Sequence, residues 1–332
     1  MTAPDPLAGR RVAVAGASGL LGSHLVEQLA ARGALLRVSR HRSPLAMTDE
    51  SWEVVAGDLR EPAAAAALVA GVERLYICTG VVGGAGMIGH SVQQVTQTLT
   101  TAVQLLEAAA LAGVPKVGLV SSATVYPLAS HPLREEDAFS GEPFDGYFGA
   151  AWTNRALEKV AEYLVRSGAL RVAIIRPSSI YGPRDRFGPG AHVIPGLIMR
   201  ALAGEDPFTI WGDGTAIRDF VHVTDVARAL IDATEQATDA QPLNIGSGEP
   251  VSIAELVSTV LDAVGHTPRQ RLFDLSQPTT IPVRRLCIDQ ARRTLGFSPR
   301  IGLAEGLLDT VRWYRNHRPD PAGGVTANPP NS

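Results

Sequence analysis

The stretch Arg11-Val-Ala-Val-Ala-Gly16-Ala-Ser-Gly19-Leu-Leu-Gly22 decides how the rest of the chain is read. Five residues of apolar strand, Arg11–Ala15, run into a turn carrying three glycines. A helix follows over 19–32, with Leu21, Leu25, Val26 and Leu29 on one face. Each glycine has its own task. Gly16 permits the tight turn. Gly19, with Ser18 and Leu20 beside it, lets backbone approach a pyrophosphate at the helix N-terminus. Gly22 allows the helix to pack closely on the strand. Placed after a strand and before a helix, the triplet predicts a dinucleotide-binding loop.

Strand and helix alternate onward from that loop. Leu35–Ser39, Trp52–Ala56, Val72–Thr79, Val117–Ser121 and Val172–Ile175 read as strands. The alanine-rich segment 62–70 reads as a short helix. Val92, Val95, Leu99, Val103 and Leu106 mark a long helix, and Trp152, Ala156, Val160 and Tyr163 the next. Continuous apolar strands joined by helices predict a parallel sheet covered on both faces, hence an α/β, doubly wound Rossmann-type fold. The dinucleotide-binding domain is expected over 10–177, with parts of 215–247, including a strand at Asn244-Ile245-Gly246, returning to it. A smaller C-terminal substrate-binding region is expected over 178–214 and 248–315, where Ser252 and Glu255 form a capping box. Residues 316–332, rich in proline, are expected to be a flexible tail.

Composition narrows the function. The chain has 332 residues and a formal charge of −3, which argues against nucleic acid as a partner. No apolar run reaches the roughly 18 residues of a membrane span, and the N-terminus lacks a signal-peptide core, so a cytoplasmic protein is expected. Two cysteines, Cys78 and Cys287, make neither a disulfide framework nor a cysteine-based zinc site, and no protein metal cage is evident. The second strand ends at Arg40, followed by His41 and Arg42, where an NAD site would carry an acid. That basic cluster favours a 2′-phosphate and so NADP over NAD. Asp58, in Gly57-Asp58-Leu59, is placed to accept from the adenine amino group.

The glycine loop, Gly57-Asp58-Leu59, Ser121-Ser122-Ala-Thr-Val-Tyr126, Arg176-Pro177 with Tyr181-Gly182-Pro183, and Arg218-Asp-Phe-Val-His-Val form an ordered set. The set resembles the extended short-chain dehydrogenase/reductases that act on nucleotide sugars, a NAD-dependent epimerase/dehydratase family. The GDP-L-fucose synthase branch is the nearest pattern, through Val82-Gly83-Gly84, His192-Val-Ile-Pro195 and Trp211-Gly-Asp-Gly-Thr. The resemblance implies a catalytic serine at Ser122. It places Thr124 where the branch has a reactive cysteine, and makes His192 the acid histidine. Val193, Trp211 and Arg218 would line the nucleotide and its diphosphate. It also implies a homodimer built on two long helices, here 91–113 and 150–167, whose apolar stripes equally suit packing within one chain.

One departure outweighs these agreements. The family's chemistry uses a tyrosine and, four residues later, a lysine that lowers the phenol's pKa and holds the nicotinamide ribose. The register set by Arg176-Pro177 puts Ala150 and Asn154 there. Shifting the register does not help, because the chain has only two lysines, Lys116 and Lys159, and neither follows a tyrosine by four. Tyr147 is the nearest phenol. A nucleotide-sugar site with its redox pair removed predicts a non-redox isomerase of a GDP-linked sugar, similar to flavin-free GDP-sugar pyranose–furanose mutases of nucleoside-antibiotic biosynthesis. NADP or NAD would then be structural or vestigial. A divalent cation, Mg²⁺ or Mn²⁺, would be held by the substrate diphosphate. His192 or Tyr147 would move the proton and Arg218 would stabilise the leaving diphosphate. The alternatives are an NADP(H)-dependent epimerase or reductase with another proton donor, and a ligand-binding pseudoenzyme.

Overall fold

The structure is a computed structural model describing residues 5–80, 92–236, 239–277 and 279–317. The first half follows the apolar pattern: β1 (Arg11–Ala15), α1 (Leu20–Ala31), β2 (Leu35–Arg40), β3 (Glu53–Ala56), α2 (Pro62–Val69), β4 (Arg74–Ile77), α3 (Val92–Ala112), β5 (Lys116–Val120), α4 (Phe148–Arg166) and β6 (Val172–Pro177). Then come β7 (Ser179–Tyr181), α5 (Val193–Leu202), β8 (Phe208–Trp211), β9 (Ile217–Arg218), β10 (Phe220–His222), α6 (Val223–Gln236) and β11 (Asp239–Ile245). The chain closes with β12 (Val251–Ser252), α7 (Ile253–Val264), β13 (Arg271–Asp274), β14 (Val283–Arg284), α8 (Asp289–Leu295) and α9 (Leu303–His317). Asn316 and His317, expected in the tail, are helical. Val82-Gly83-Gly84 lies outside the described residues.

Seven parallel strands form one sheet in the order β11-β6-β5-β4-β1-β2-β3. The order reverses between β1 and β4, so a crevice opens at the carboxyl ends of those two strands. Burial is near complete in the middle: Val12 to Ala15, Leu75, Tyr76, Val117 and Ile174 are all but inaccessible. Helices cover both faces. A separate apolar cluster unites Tyr181, Ile198, Phe208, Leu256, Val260 and Leu307 beyond the sheet. There the capping box of α7 forms as expected: Ser252 Oγ accepts from Glu255 N at 3.1 Å, and Glu255 accepts from Ser252 N at 2.8 Å. No described helix is long and apolar enough to cross a membrane.

The stripe that reveals α4 is not the face that packs. Trp152 and Tyr163 are exposed, whereas Thr153, Arg155, Leu157 and Glu158 are buried. The reason lies in the sheet. Arg176, on β6, is 2% exposed and reaches both carboxylate oxygens of Glu158 at 2.8 and 2.7 Å. Ser121 donates to the same carboxylate, and Arg176 also donates to the Tyr126 hydroxyl at 2.9 Å. Tyr126 in turn donates to Asn244 on β11. An inward ion pair therefore fixes the rotation of α4, and its aromatic residues are left outside.

Candidate functional site

The glycine loop works by close approach. Gly16 has φ +86°, and a Cβ there would lie 2.8 Å from the carbonyl oxygen of Cys78 on the far side of the crevice. At Gly22 a Cβ would lie 2.0 Å from the Gly16 carbonyl oxygen, so no side chain fits without moving the loop. Gly19 is the N-cap of α1, ahead of Leu20, and no side chain caps that end. The first turn carries no acidic residue either, so its positive end is open to an anion. Gly16 N donates to Ser39 Oγ at 2.9 Å, tying the loop to β2.

A cleft of about 250 Å³ starts at this loop, with Gly16, Ser18, Asp58, Leu59 and Thr79 on its walls. Ser39 points inward, so strand alternation turns the Arg40 side chain to the other face. Arg40 is exposed and does not line the cleft; His41, Arg42 and Arg60 supply the basic groups instead. Asp58 is gripped by Arg60, whose Nε lies 3.0 Å from each carboxylate oxygen, and this holds its pKa down at about 2. The walls, the uncapped helix and the cations suit an adenine dinucleotide.

The residues expected to act on substrate fall into separate groups. Ser122 Oγ accepts from Thr124 N at 3.1 Å and caps the 3₁₀ turn after β5. Thr124 Oγ1 is buried with no hydrogen-bond partner. Ala150 and Asn154 lie on α4, on the stripe that continues to Glu158. Asn154 donates to the Ala150 carbonyl at 2.9 Å, so its amide is occupied within its own helix. There is no proton to exchange at either position.

Tyr147, the N-cap of α4, faces arginines. The Arg284 guanidinium sits 4.7 Å from its ring centre. Arg284 is paired in register with Arg218 through the parallel strands β14 and β9. Arg218 is fixed from behind: it donates to the Ile217 carbonyl at 2.7 Å and to Thr280 Oγ1 at 2.6 Å. Arg284, by contrast, has Nε and Nη2 buried with no partner. Burial pushes its pKa down to about 10, opposed by Tyr147 and reinforced by Arg218. Burial also lowers Arg218, with Tyr147 opposing. Two neighbouring guanidiniums, one with unused donors, can hold a diphosphate. Arg284 escapes a motif search because it belongs to no ordered string; only strand pairing brings it to Arg218.

His192 is the N-cap of α5, with Val193 as the first helical residue and 41% exposed. Its Nδ1 lies 3.6 Å from Asp185. Trp211 ends β8 and is 48% exposed, so its ring is open to a stacking partner.

The sequence profile of the NAD dependent epimerase/dehydratase family matches residues 12–246. A dTDP-4-dehydro-6-deoxy-D-allose reductase from a Streptomyces species is 33% identical over 330 residues, covering 96% of this chain and 100% of the relative. GDP-L-fucose synthase from Escherichia coli strain K12 is 30% identical, covering 92% and 96%. MoeE5, solved with UDP-glucuronic acid and NAD, has a TM-score of 0.80 at 31% identity, covering 93% and 99%. These relatives are reductases, synthases and nucleotide-sugar binders rather than mutases. The seven-stranded parallel sheet, the glycine loop at its switch point and the full-length likeness agree: this chain belongs to the NAD dependent epimerase/dehydratase family of nucleotide-sugar enzymes.

Proposed function

We propose that the protein is a nucleotide-sugar isomerase working without net hydride transfer, of the pyranose–furanose mutase type on a GDP-linked sugar. The observation that carries this reading is the pair Ala150 and Asn154 on α4, where neither side chain can exchange a proton with a sugar hydroxyl. Loss of such an acid–base pair removes roughly 10²–10⁴ in rate from hydride chemistry. The anion-binding arginines remain. In this reading Arg218 and Arg284 hold the diphosphate as the anomeric C–O bond breaks and its electron pair leaves with phosphate. A ring hydroxyl attacks the anomeric carbon and gives its proton to His192. Diphosphate then returns to that carbon as the original ring C–O bond opens, and the ring oxygen takes the proton back. A divalent ion, where present, is carried by the phosphates. The outward Trp152 and Tyr163 on α4, with Val103 and Leu111 on α3, support a homodimer within the same reading.

The test is incubation of the purified protein with GDP-sugars, with and without NADPH and Mg²⁺. A rearranged sugar with no loss of absorbance at 340 nm supports the isomerase. Stoichiometric NADPH consumption would establish instead the second reading, an NADP(H)-dependent reductase, which the dinucleotide cleft and the reductase relatives favour. In the second reading the dinucleotide, when bound, would supply the hydride; in the first it would only fill its cleft. We expect NADP(H) to bind more tightly than NAD(H), because His41, Arg42 and Arg60 line the cleft where a 2′-phosphate would lie. Calorimetric titration with both cofactors checks this, and tighter binding of NAD(H) would overturn it.

A further inference from the structure

The loop between β7 and α5 buries a carboxylate, one of whose oxygens has no hydrogen-bond partner among the described residues. Asp185 is 6% exposed. Its Oδ1 accepts from the Arg186 N–H at 2.7 Å, while Oδ2 has no hydrogen-bond partner. A buried carboxylate is costly unless something complements it. The complementing group is His192: its Nδ1 lies 3.6 Å from Oδ1, at ion-pair distance, and its side chain is 36% exposed. The backbone is bent to allow this. Arg184, immediately before Asp185, sits in the left-handed region at φ +68°, rare for a residue with a side chain. Its guanidinium is tied to Glu27 on α1 at 2.8 Å. The loop is thus held so that its acid turns inward under the imidazole.

We propose that Asp185 is a positioning residue that fixes the proton of His192 on Nδ1, leaving Nε2 as the atom that exchanges a proton with the sugar. The assignment rests on the role given to His192 above, but the orientation it predicts exists without substrate. The physical logic is that of any carboxylate–imidazole pair. The acid selects the tautomer and stabilises the imidazolium formed when Nε2 takes a proton. A 3.6 Å separation tightens to a hydrogen bond on rotation of the ring, as catalytic pairs do when a ligand closes over them.

Two measurements test it. Nitrogen-15 NMR of histidine-labelled protein at pH 9 gives the tautomer of His192 directly, assigned among the eight histidines by its loss in His192→Gln. The Nδ1–H form is expected in the unmodified protein, and the Nε2–H form would overturn the proposal whatever the reaction proves to be. In Asp185→Asn, kcat should fall roughly 100-fold, while KM for the GDP-sugar and the affinity for GDP stay within about twofold of the unmodified protein. Unchanged turnover in a folded Asp185→Asn protein also defeats the assignment. If neither isomerisation nor reduction is found, the tautomer still decides the role of Asp185.

Discussion

Replacing Arg284 by methionine should lower kcat/KM by about 100- to 1000-fold, the usual loss when one preorganised donor to a developing anion is removed. The same variant should melt about 2–4 °C higher without ligand. The two signs come from one fact. Arg284 is buried beside a second guanidinium, with Nε and Nη2 unpartnered, and folding pushes its pKa down to about 10. A cation whose pKa falls on folding destabilises the fold at every pH where it is charged, including neutral pH. Methionine keeps much of the volume and removes that penalty. A diphosphate reverses the balance by supplying the missing acceptors. Arg284→Lys should recover only part of the activity, because an ammonium cannot offer the planar fork. Steady-state kinetics and a thermal melt of the same preparation check both signs. Lower activity together with a lower Tm would mean that Arg284 holds structure rather than ligand.

The second large effect concerns stability. Arg176→Met should cost about 3–5 kcal/mol, because it leaves the Glu158 carboxylate buried without its bidentate partner. That is a large share of the roughly 5–15 kcal/mol that keeps a domain folded. Burial is the largest influence on the Arg176 charge and works against it, and the hydrogen bonds and charge interactions with Glu158 and Tyr126 together more than offset it. Adding Glu158→Gln to Arg176→Met should return part of the loss, since no isolated charge then remains. Urea unfolding of the single and double variants measures the difference. Equal midpoints for Arg176→Met and the unmodified protein would show the pair to be dispensable. The single variant should also disturb turnover, because the pair sets the rotation of α4 and with it the places of Ala150 and Asn154.

The central strands of the sheet are legible in the sequence because they are runs of apolar residues buried on both faces, as Val12–Ala15 and Val172–Ile175 show. The glycine loop is legible because steric demand leaves only one residue type at Gly16 and Gly22. Periodicity misleads at α4, where the buried face is partly ionic and the exposed face is partly aromatic. It cannot see that Glu158 belongs to Arg176. Strand alternation adds what the Arg40 reading lacks: the inward turn of Ser39 to meet Gly16 N sends the next side chain to the other face. Asp185 reads as an ordinary loop acid until its burial is known. Arg284 is the largest omission, since a two-residue strand carries no pattern and its partner lies 66 positions earlier.

That last pairing also sets a timetable. Ribosomes release the chain from its N-terminus, and segments begin to fold in that order. The cleft walls around Gly16 and Asp58 emerge early, but the edge strand β11 is made only after the whole excursion from β7 to α6. Arg284 is later still. Its segment is anchored to the first half by hydrogen bonds between Leu133 and both Arg285 and Cys287. Until that seam closes, Arg218 has no companion. In a nascent chain the Arg218–Arg284 pair is therefore completed only when synthesis is nearly finished, long after the walls of the first cleft have been made.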